Sequence, residues 1–269
     1  MRLKELEQPF ETLLVEESGE YQLQVTLNRP DRANSLTTQM GRDLITVFSA
    51  LEREPWHYRC VVFTGAGERV FCAGADLAER NGMDDEAFTR QHYLFERMMR
   101  AIYDCPVPII AALNGATVAG GLELMLQCDF AYAVDTAKFG FPEVLRGIMP
   151  GGGGTQHLPR RIGSARAKEM VLTGRLFSAQ DALEWGVVNR LVPAGQLMAE
   201  ANATAATICR NAPLSTAQAK KSIAHGLQMD LRTSMYFEIE AYSRLIPTED
   251  RREGIAAFNE KREAVFIGR

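Results

Sequence analysis

Residues Pro108 to Val134 read PIIAALNGATVAGGLELMLQCDFAYAV. The run from Pro108 to Leu113 is short, apolar throughout and closed by Asn114-Gly115, the pattern of a strand covered on both faces. Phe130 to Val134 repeats that pattern. Between the two runs, Gly120 and Gly121 open a helical segment in which Leu122, Leu124, Met125 and Leu126 surround a single carboxylate, Glu123. Strand, glycine turn, apolar helix and second buried strand make a unit of a parallel α/β sheet with crossover connections.

The same alternation extends outward. CVVFTG from Cys60 is another buried-strand run, whereas YQLQVTL from Tyr21 alternates like a half-buried strand. Met40, Leu44, Val47, Phe48 and Leu51 recur at helical spacing, as do Leu94, Met98, Ala101, Ile102 and Cys105. Strand signals end with GVVNRLV, Gly186 to Val192. Beyond it lie helix formers, broken briefly at NAP, HGL and IPTED. The expected organisation is a core over residues 1–195 that carries the active site, followed by a helical region over 196–269. That region is too poor in apolar residues for a core of its own, so it packs on the first region and on neighbouring subunits.

Composition narrows the function. The 269 residues carry a formal net charge of -4, which argues against broad attraction to nucleic acid or anionic membranes. Cys60, Cys72, Cys105, Cys128 and Cys209 are scattered in apolar runs without a CxxC pair, as buried thiols of a reducing compartment would be. The opening MRLKELEQPFETLLVEE lacks the apolar core of a signal peptide and the Arg-rich, acid-poor character of a transit peptide. No apolar run approaches membrane-spanning length. The expectation is a soluble cytoplasmic protein.

Three glycine-containing turns, GERVFCAGADL, NGATVAGGLEL and MPGGGGTQ, place backbone N–H groups where a ligand can approach. None carries the Lys-Ser/Thr of a phosphate loop, and no G-x-G-x-x-G opens a helix. Glu123 sits in the first turn of an apolar helix. It either complements the helix dipole in solvent or is a buried carboxylate with a raised pKa, a candidate acid or base. Glu143, in FGFPEVLRG, either pairs with Arg146 or Lys138 or joins Glu123 at one cavity. Two carboxylates at one cavity separate their pKa values, so that one accepts a proton and the other donates it, which suits adding or removing water without a metal. His57, His92, His157 and His225 show neither metal-ligand spacing nor a triad. His157 packs or caps near the glycine turn, and Asp76 orders its loop or caps the following helix.

FCAGADL, ALNGATVAGGLELMLQCD and FGFPEVLRGIMPGGGGTQHLPRRIG resemble the signature segments of the crotonase, or enoyl-CoA hydratase, superfamily, in its order and approximate spacing. LNRPDRANSL and TGRLFSAQDALEWGVVNRLV extend the resemblance from about Glu11 to the C-terminus. It implies an α/β fold, a spiral of ββα repeats followed by a C-terminal helical trimerisation region, assembled as a trimer or dimer of trimers. It further implies an oxyanion hole from the N–H groups of Ala75 and Gly120, and catalytic roles for Glu123 and Glu143. The implied activity is reversible syn hydration of a 2-enoyl-CoA, with coenzyme A as part of the substrate and no separate cofactor. For substrate and coenzyme A it implies Arg32, Ala33, Cys72, Ala73, Gly74, Asp76 and Leu77, and Lys261 toward an adjacent subunit. Arg32 reads equally as an exposed loop residue.

PGGGGTQHLPRRIG and IPTEDRREGIAAFNEKR are similar to the branch containing 3-methylglutaconyl-CoA hydratases, some of which bind RNA, whereas FGFPEVLRG is more like general short-chain hydratases. A substrate carboxylate would need a cation in the acyl pocket, and Arg146 is nearest in sequence, although it also reads as a solvated helix-end residue. Isomerisation, thioester hydrolysis and RNA binding are the competing readings. The modest basic clusters PRRIGSARAK and AKK and the net charge disfavour the last.

Overall fold

The computed structural model describes residues 6, 9–54 and 56–269; residues 1–5, 7 and 8 of the leading segment read above lie outside them. The chain begins with β1 (Leu13–Gly19), β2 (Gln22–Leu27) and α1 (Thr38–Arg53). Next come β3 (Cys60–Gly65), β4 (Val70–Cys72), the short α2 (Leu77–Arg80) and α3 (Asp85–Tyr103). The unit quoted at the outset forms β5 (Ile109–Leu113), β6 (Ala116–Val118), α4 (Gly120–Leu126) and β7 (Phe130–Val134). It is followed by β8 (Lys138–Gly140), a 3-10 turn (Pro142–Arg146), α5 (Gly154–Ile162), α6 (Ser164–Thr173), β9 (Phe177–Ser178), α7 (Ala179–Glu184) and β10 (Arg190–Val192). Four helices close the chain: α8 (Leu197–Cys209), α9 (Pro213–Gly226), α10 (Leu231–Ser243) and α11 (Glu249–Glu260).

The strand pairs β3–β4, β5–β6 and β7–β8 are shared out between two sheets. Their first strands, with β1, β2 and β10, form one sheet of order β1-β2-β3-β5-β7-β10, parallel except between β1 and β2. Their second strands, with β9, form another of order β4-β6-β8-β9, in which β4, β6 and β8 are parallel. Register sets Cys72 beside Thr117 and Val118 beside Gly140. The chain therefore leaves β4, β6 and β8 at neighbouring points, at the carboxyl ends of parallel strands, where open α/β sheets place ligands.

The buried face of α1 is the one its spacing predicts, with Met40, Leu44, Val47, Phe48 and Leu51 all inside. Edge-on aromatic contacts from Phe48 to Phe63 and from Phe63 to Phe71, 5.9 and 5.6 Å between centroids, link α1 to β3 and β4. Two local expectations differ. Gln22 and Thr26, the polar face of YQLQVTL, are buried as well, because β2 lies between β1 and β3 and α8 packs across it. Within GVVNRLV only Arg190–Val192 is strand; the N–H groups of Val187 and Val188 turn back to the Ala182 carbonyl, ending α7.

The chain after residue 196 starts against the large sheet. Small residues of α8, Ala201, Ala205 and Cys209, let it lie close to β3, β5 and β7. Arg59 then ties the chain end to the core: its guanidinium donates to the carbonyls of Cys209 and Phe266 and stacks 3.9 Å from the Tyr21 ring. Helices α9 and α10 pack on each other yet leave Leu227, Leu231, Met235 and Ile239 exposed, as α11 does Phe258.

Candidate active site

Three loops leaving β4, β6 and β8 bring the reactive groups together. Gly74, with φ +90°, and Gly120 approach so closely that a β-carbon on Gly74 would lie 3.0 Å from the Gly120 nitrogen. A β-carbon on Gly120 would lie 3.7 Å from the Ala75 nitrogen. Two amides, those of Ala75 and Gly120, thus sit side by side, and neither is paired with an acceptor among the described residues. The Gly120 amide is one of the orphan donors that begin a helix. Its direction is set by Ala119, an alanine held at φ 52° and ψ -131°. The surroundings over-determine that strained residue, because its N–H donates to the Gly140 carbonyl and its carbonyl accepts from Leu122 and Glu123.

Glu123 is 5% exposed, and its Oε1 accepts the N–H groups of Gly152 and Gly154 at 2.7 and 2.9 Å. Burial raises its pKa, while the two amides and the charge of Arg80 oppose the rise. Glu143 is 7% exposed and is presented by the 3-10 turn that Pro142 opens and Gly147 closes at φ 73°. Burial, with the Glu123 charge adding to it, pushes the Glu143 carboxyl up to about 7. Its Oε2 is buried and finds no donor among the described residues. The two carboxylates are therefore unequal: one is clamped by amides, and the other is poised to hold a proton.

This inequality has a stability consequence. An unfolded Glu titrates near 4.5 and the folded Glu143 at about 7, so ionisation opposes folding, fully above pH 7 and not at all below 4.5. Glu143→Gln removes the opposition. Its melting temperature should exceed the wild type's by a few degrees at pH 8, with the margin shrinking toward zero at pH 4.5. A margin independent of pH in calorimetric scans would show that the ionised carboxyl is not what opposes folding.

Of the residues expected from sequence, Ala73, Ala75, Leu77, Gly120, Glu123 and Glu143 line one cavity of about 620 Å³. Asp76 stands behind it as the cap of α2, accepting from the Ala78 and Glu79 amides and paired with Arg29 at 2.9 Å. Hydrogen bonds from Arg29, Glu79, Ser35 and Ala78 outweigh its burial and hold its carboxyl below the usual range. Cys72 contributes backbone: its side chain is buried, and burial pushes the thiol up to about 12. Ala33 borders a separate recess of about 380 Å³ with Gly67 and Arg69, whereas Arg32 is exposed. Lys261 ends α11 in the left-handed region, φ 57°, outside the cavity lining. Arg146 lines the same cavity; it is exposed at the end of the 3-10 turn, and its guanidinium donates to the Pro142 carbonyl.

Three features escaped sequence reading. Glu123 is held by amides of the PGGGGTQ turn, about thirty positions away, and any side chain at Gly152 would meet its Oε2 at 2.9 Å. His92, Phe95 and Met99 of α3 form a cavity wall. Arg80, at the end of α2, is a cation on that wall; its only signal in sequence is its place four residues after the Asp76 cap.

Comparison with known proteins agrees with this geometry. Residues 19–269 match the family model described as Enoyl-CoA hydratase/isomerase. Bacillus subtilis YngF, named for enoyl-CoA hydratase/isomerase, is 43% identical over 96% of this chain and 99% of its own. The short-chain-enoyl-CoA hydratase of Clostridium acetobutylicum is 36% identical over 93% and 95%. Among solved structures, the enoyl-CoA hydratase from Bacillus anthracis superposes with a TM-score of 0.94 at 41% identity, covering 96% of this chain and 100% of that one. Two sheets fed by ββα units, with amides and carboxylates at the carboxyl ends of the second strands, define a crotonase-fold enzyme. The chain belongs to the enoyl-CoA hydratase/isomerase family.

Proposed function

We propose that the chain is a hydro-lyase that reversibly adds water, in the syn sense, across the C2=C3 bond of a 2-enoyl-CoA thioester. One observation carries this reading: two buried, unequal carboxylates meet in one cavity beside two unpaired backbone amides. The Ala75 and Gly120 N–H groups receive the thioester oxygen. Charge accumulates on that oxygen as the enolate forms, and donors already fixed by the fold stabilise it without reorganising.

Water is held between Glu123 and Glu143. Glu123, kept accessible to ionisation by its two amide donors, takes a proton from the water as oxygen attacks C3. Glu143, whose raised pKa keeps a proton on it near neutrality, delivers one to C2. Oxygen and proton arrive from the same side of the planar acyl group, hence the syn outcome. Dehydration runs the steps backward. The backbone around Ala33 and Cys72 to Gly74 lies along the route for coenzyme A. Arg32 meets its phosphates, and Lys261 reaches it from an adjacent copy. The exposed apolar residues of α9, α10 and α11 support a homo-oligomer in which neighbours cover them.

The reaction consumes no net proton, so both directions use the form of the pair that holds one. The kcat/KM for hydration of crotonyl-CoA, followed by loss of the conjugated enone absorbance, should decline about tenfold per pH unit above an apparent pKa near 7, as that proton leaves. Since the equilibrium constant is independent of pH, kcat/KM for dehydration should decline in parallel. Release of free coenzyme A thiol, or double-bond migration without hydration, would replace this reading with a hydrolase or an isomerase.

A further inference from the structure

Glu123 is held by a turn that has little with which to hold itself. Gly151 to Gly154 are four consecutive glycines, the residues with the most backbone freedom to lose, and Gly153 sits at φ 102° and ψ -1°. Both donors to Glu123 Oε1, the Gly152 and Gly154 amides, belong to this turn. The peptide between them presents the Gly152 carbonyl, which accepts from Nε2 of Gln127 at 3.1 Å. The same Nε2 donates to the Glu123 carbonyl at 3.2 Å. Among the described residues, no other side chain donates to the turn.

Gln127 is 5% exposed and caps the end of α4, one helical turn beyond Glu123. One helix thus presents the carboxylate and, four residues on, anchors the loop that solvates it. A buried amide is costly unless hydrogen-bonded, and both bonds of Nε2 are made at this clamp. His92, Met99, His157 and Phe141 crowd the four glycines, but such contacts limit where the turn lies without choosing which way its peptides face. The Gly153 carbonyl is already taken by the Gln156 and His157 amides at the start of α5. The peptide before it is left to Gln127.

We propose that Gln127 is a positioning residue: by holding the Gly152 carbonyl, it keeps the glycine turn in the conformation that aims two amides at the Glu123 carboxylate. This rests on the hydratase reading for its effect on turnover, but on the hydrogen bonds alone for its effect on Glu123. Without Gln127 the turn samples other peptide orientations, and Glu123 loses part of its amide support. Those amides oppose the effect of burial, so Glu123 then holds its proton to higher pH. The other titratable or charged groups around the carboxylate and its turn are Arg80 from α2, His92 from α3, Glu143 from the 3-10 turn, and His157 from α5 with Arg160 and Arg161 behind it. A change at Gln127 leaves all of them in place.

Gln127→Met removes the donor while keeping the volume and the helix propensity. Gln127→Asn keeps an amide that is one methylene too short to reach Gly152. Glu123 must be ionised to take the water's proton, so kcat/KM for crotonyl-CoA falls as pH drops through its pKa. In both variants this acidic limb should move up by about one unit, a loss of about tenfold on the acid side, the scale of one hydrogen bond to a charged group. In a Glu123→Gln background, adding Gln127→Met should alter the residual kcat by less than about twofold, because nothing is left to ionise. The Glu123 carboxyl carbon, followed by 13C NMR in protein labelled at glutamate Cδ and assigned by its absence in Glu123→Gln, reads the same midpoint without turnover. Should no enoyl thioester be hydrated, the hydratase reading fails while that midpoint still decides the role of Gln127. A midpoint that rises in the variants supports the role. An unchanged midpoint in both variants overturns it, as does a loss of kcat/KM that is uniform across pH or persists undiminished in the Glu123→Gln background.

Discussion

Glu123→Gln and Glu143→Gln should each lower turnover of an enoyl-CoA by at least ~100-fold, about 2.7 kcal/mol of transition-state stabilisation. The isosteric change isolates the chemistry. A glutamine at 123 keeps an oxygen for the Gly152 and Gly154 amides, so the glycine turn has no reason to move, yet it cannot accept the water's proton. A glutamine at 143 fills the same space but has no acidic proton for C2. Because neither variant alters the Ala75 and Gly120 amides proposed to receive the thioester oxygen, affinity for a saturated acyl-CoA should stay largely intact in both, as titration calorimetry would show. The double variant should fall no more than about tenfold below the weaker single one, since the carboxylates act as a pair and removing either already disables it. Near-normal turnover in either single variant would take that glutamate out of the mechanism.

How much of this was legible in the sequence follows from the range of the interactions involved. The buried strands β3, β5 and β7 were readable because a strand covered on both faces must be apolar at every position, which is a local property. The α1 stripe was readable for the same reason. Glu123 and Glu143 stood out because a carboxylate among apolar neighbours needs an explanation, and the family resemblance supplied their partnership. Which strands would share a sheet was not written in any one segment: β3 and β4 are only a few residues apart, yet they belong to different sheets. The clamp on Glu123 was hidden likewise, since amides have no residue identity and the Gly152 and Gly154 donors arrive from another unit. Arg80 reads in sequence as an ordinary basic residue ending a short helix; only the fold sets Gln91, Phe88 and Phe95 around it and leaves its outer edge open.

The glycines carry the other large effect, and Gly121 shows why. A β-carbon there would stand 2.2 Å from the Cys72 carbonyl oxygen and 2.7 Å from the carbonyl carbon, both backbone atoms at the end of β4 that cannot rotate aside. Gly121→Ala therefore forces the first turn of α4 and the end of β4 apart by about 1 Å, given that non-bonded carbon and oxygen normally stay beyond ~3 Å. That displacement acts on both halves of the site, because α4 carries the Gly120 amide and Glu123, whereas β4 leads into Gly74 and Ala75. Expected losses are about 2–4 kcal/mol in stability by chemical denaturation, and ~100-fold or more in kcat for the protein that remains folded, since misplacing reacting groups by about 1 Å has effects of that order. Gly195→Ala serves as the control: a β-carbon at Gly195 meets nothing within 4 Å, so stability should change by less than about 0.5 kcal/mol. A Gly121→Ala enzyme with wild-type stability and turnover would mean that α4 and β4 are not in contact, and that the two amides cannot form a single site.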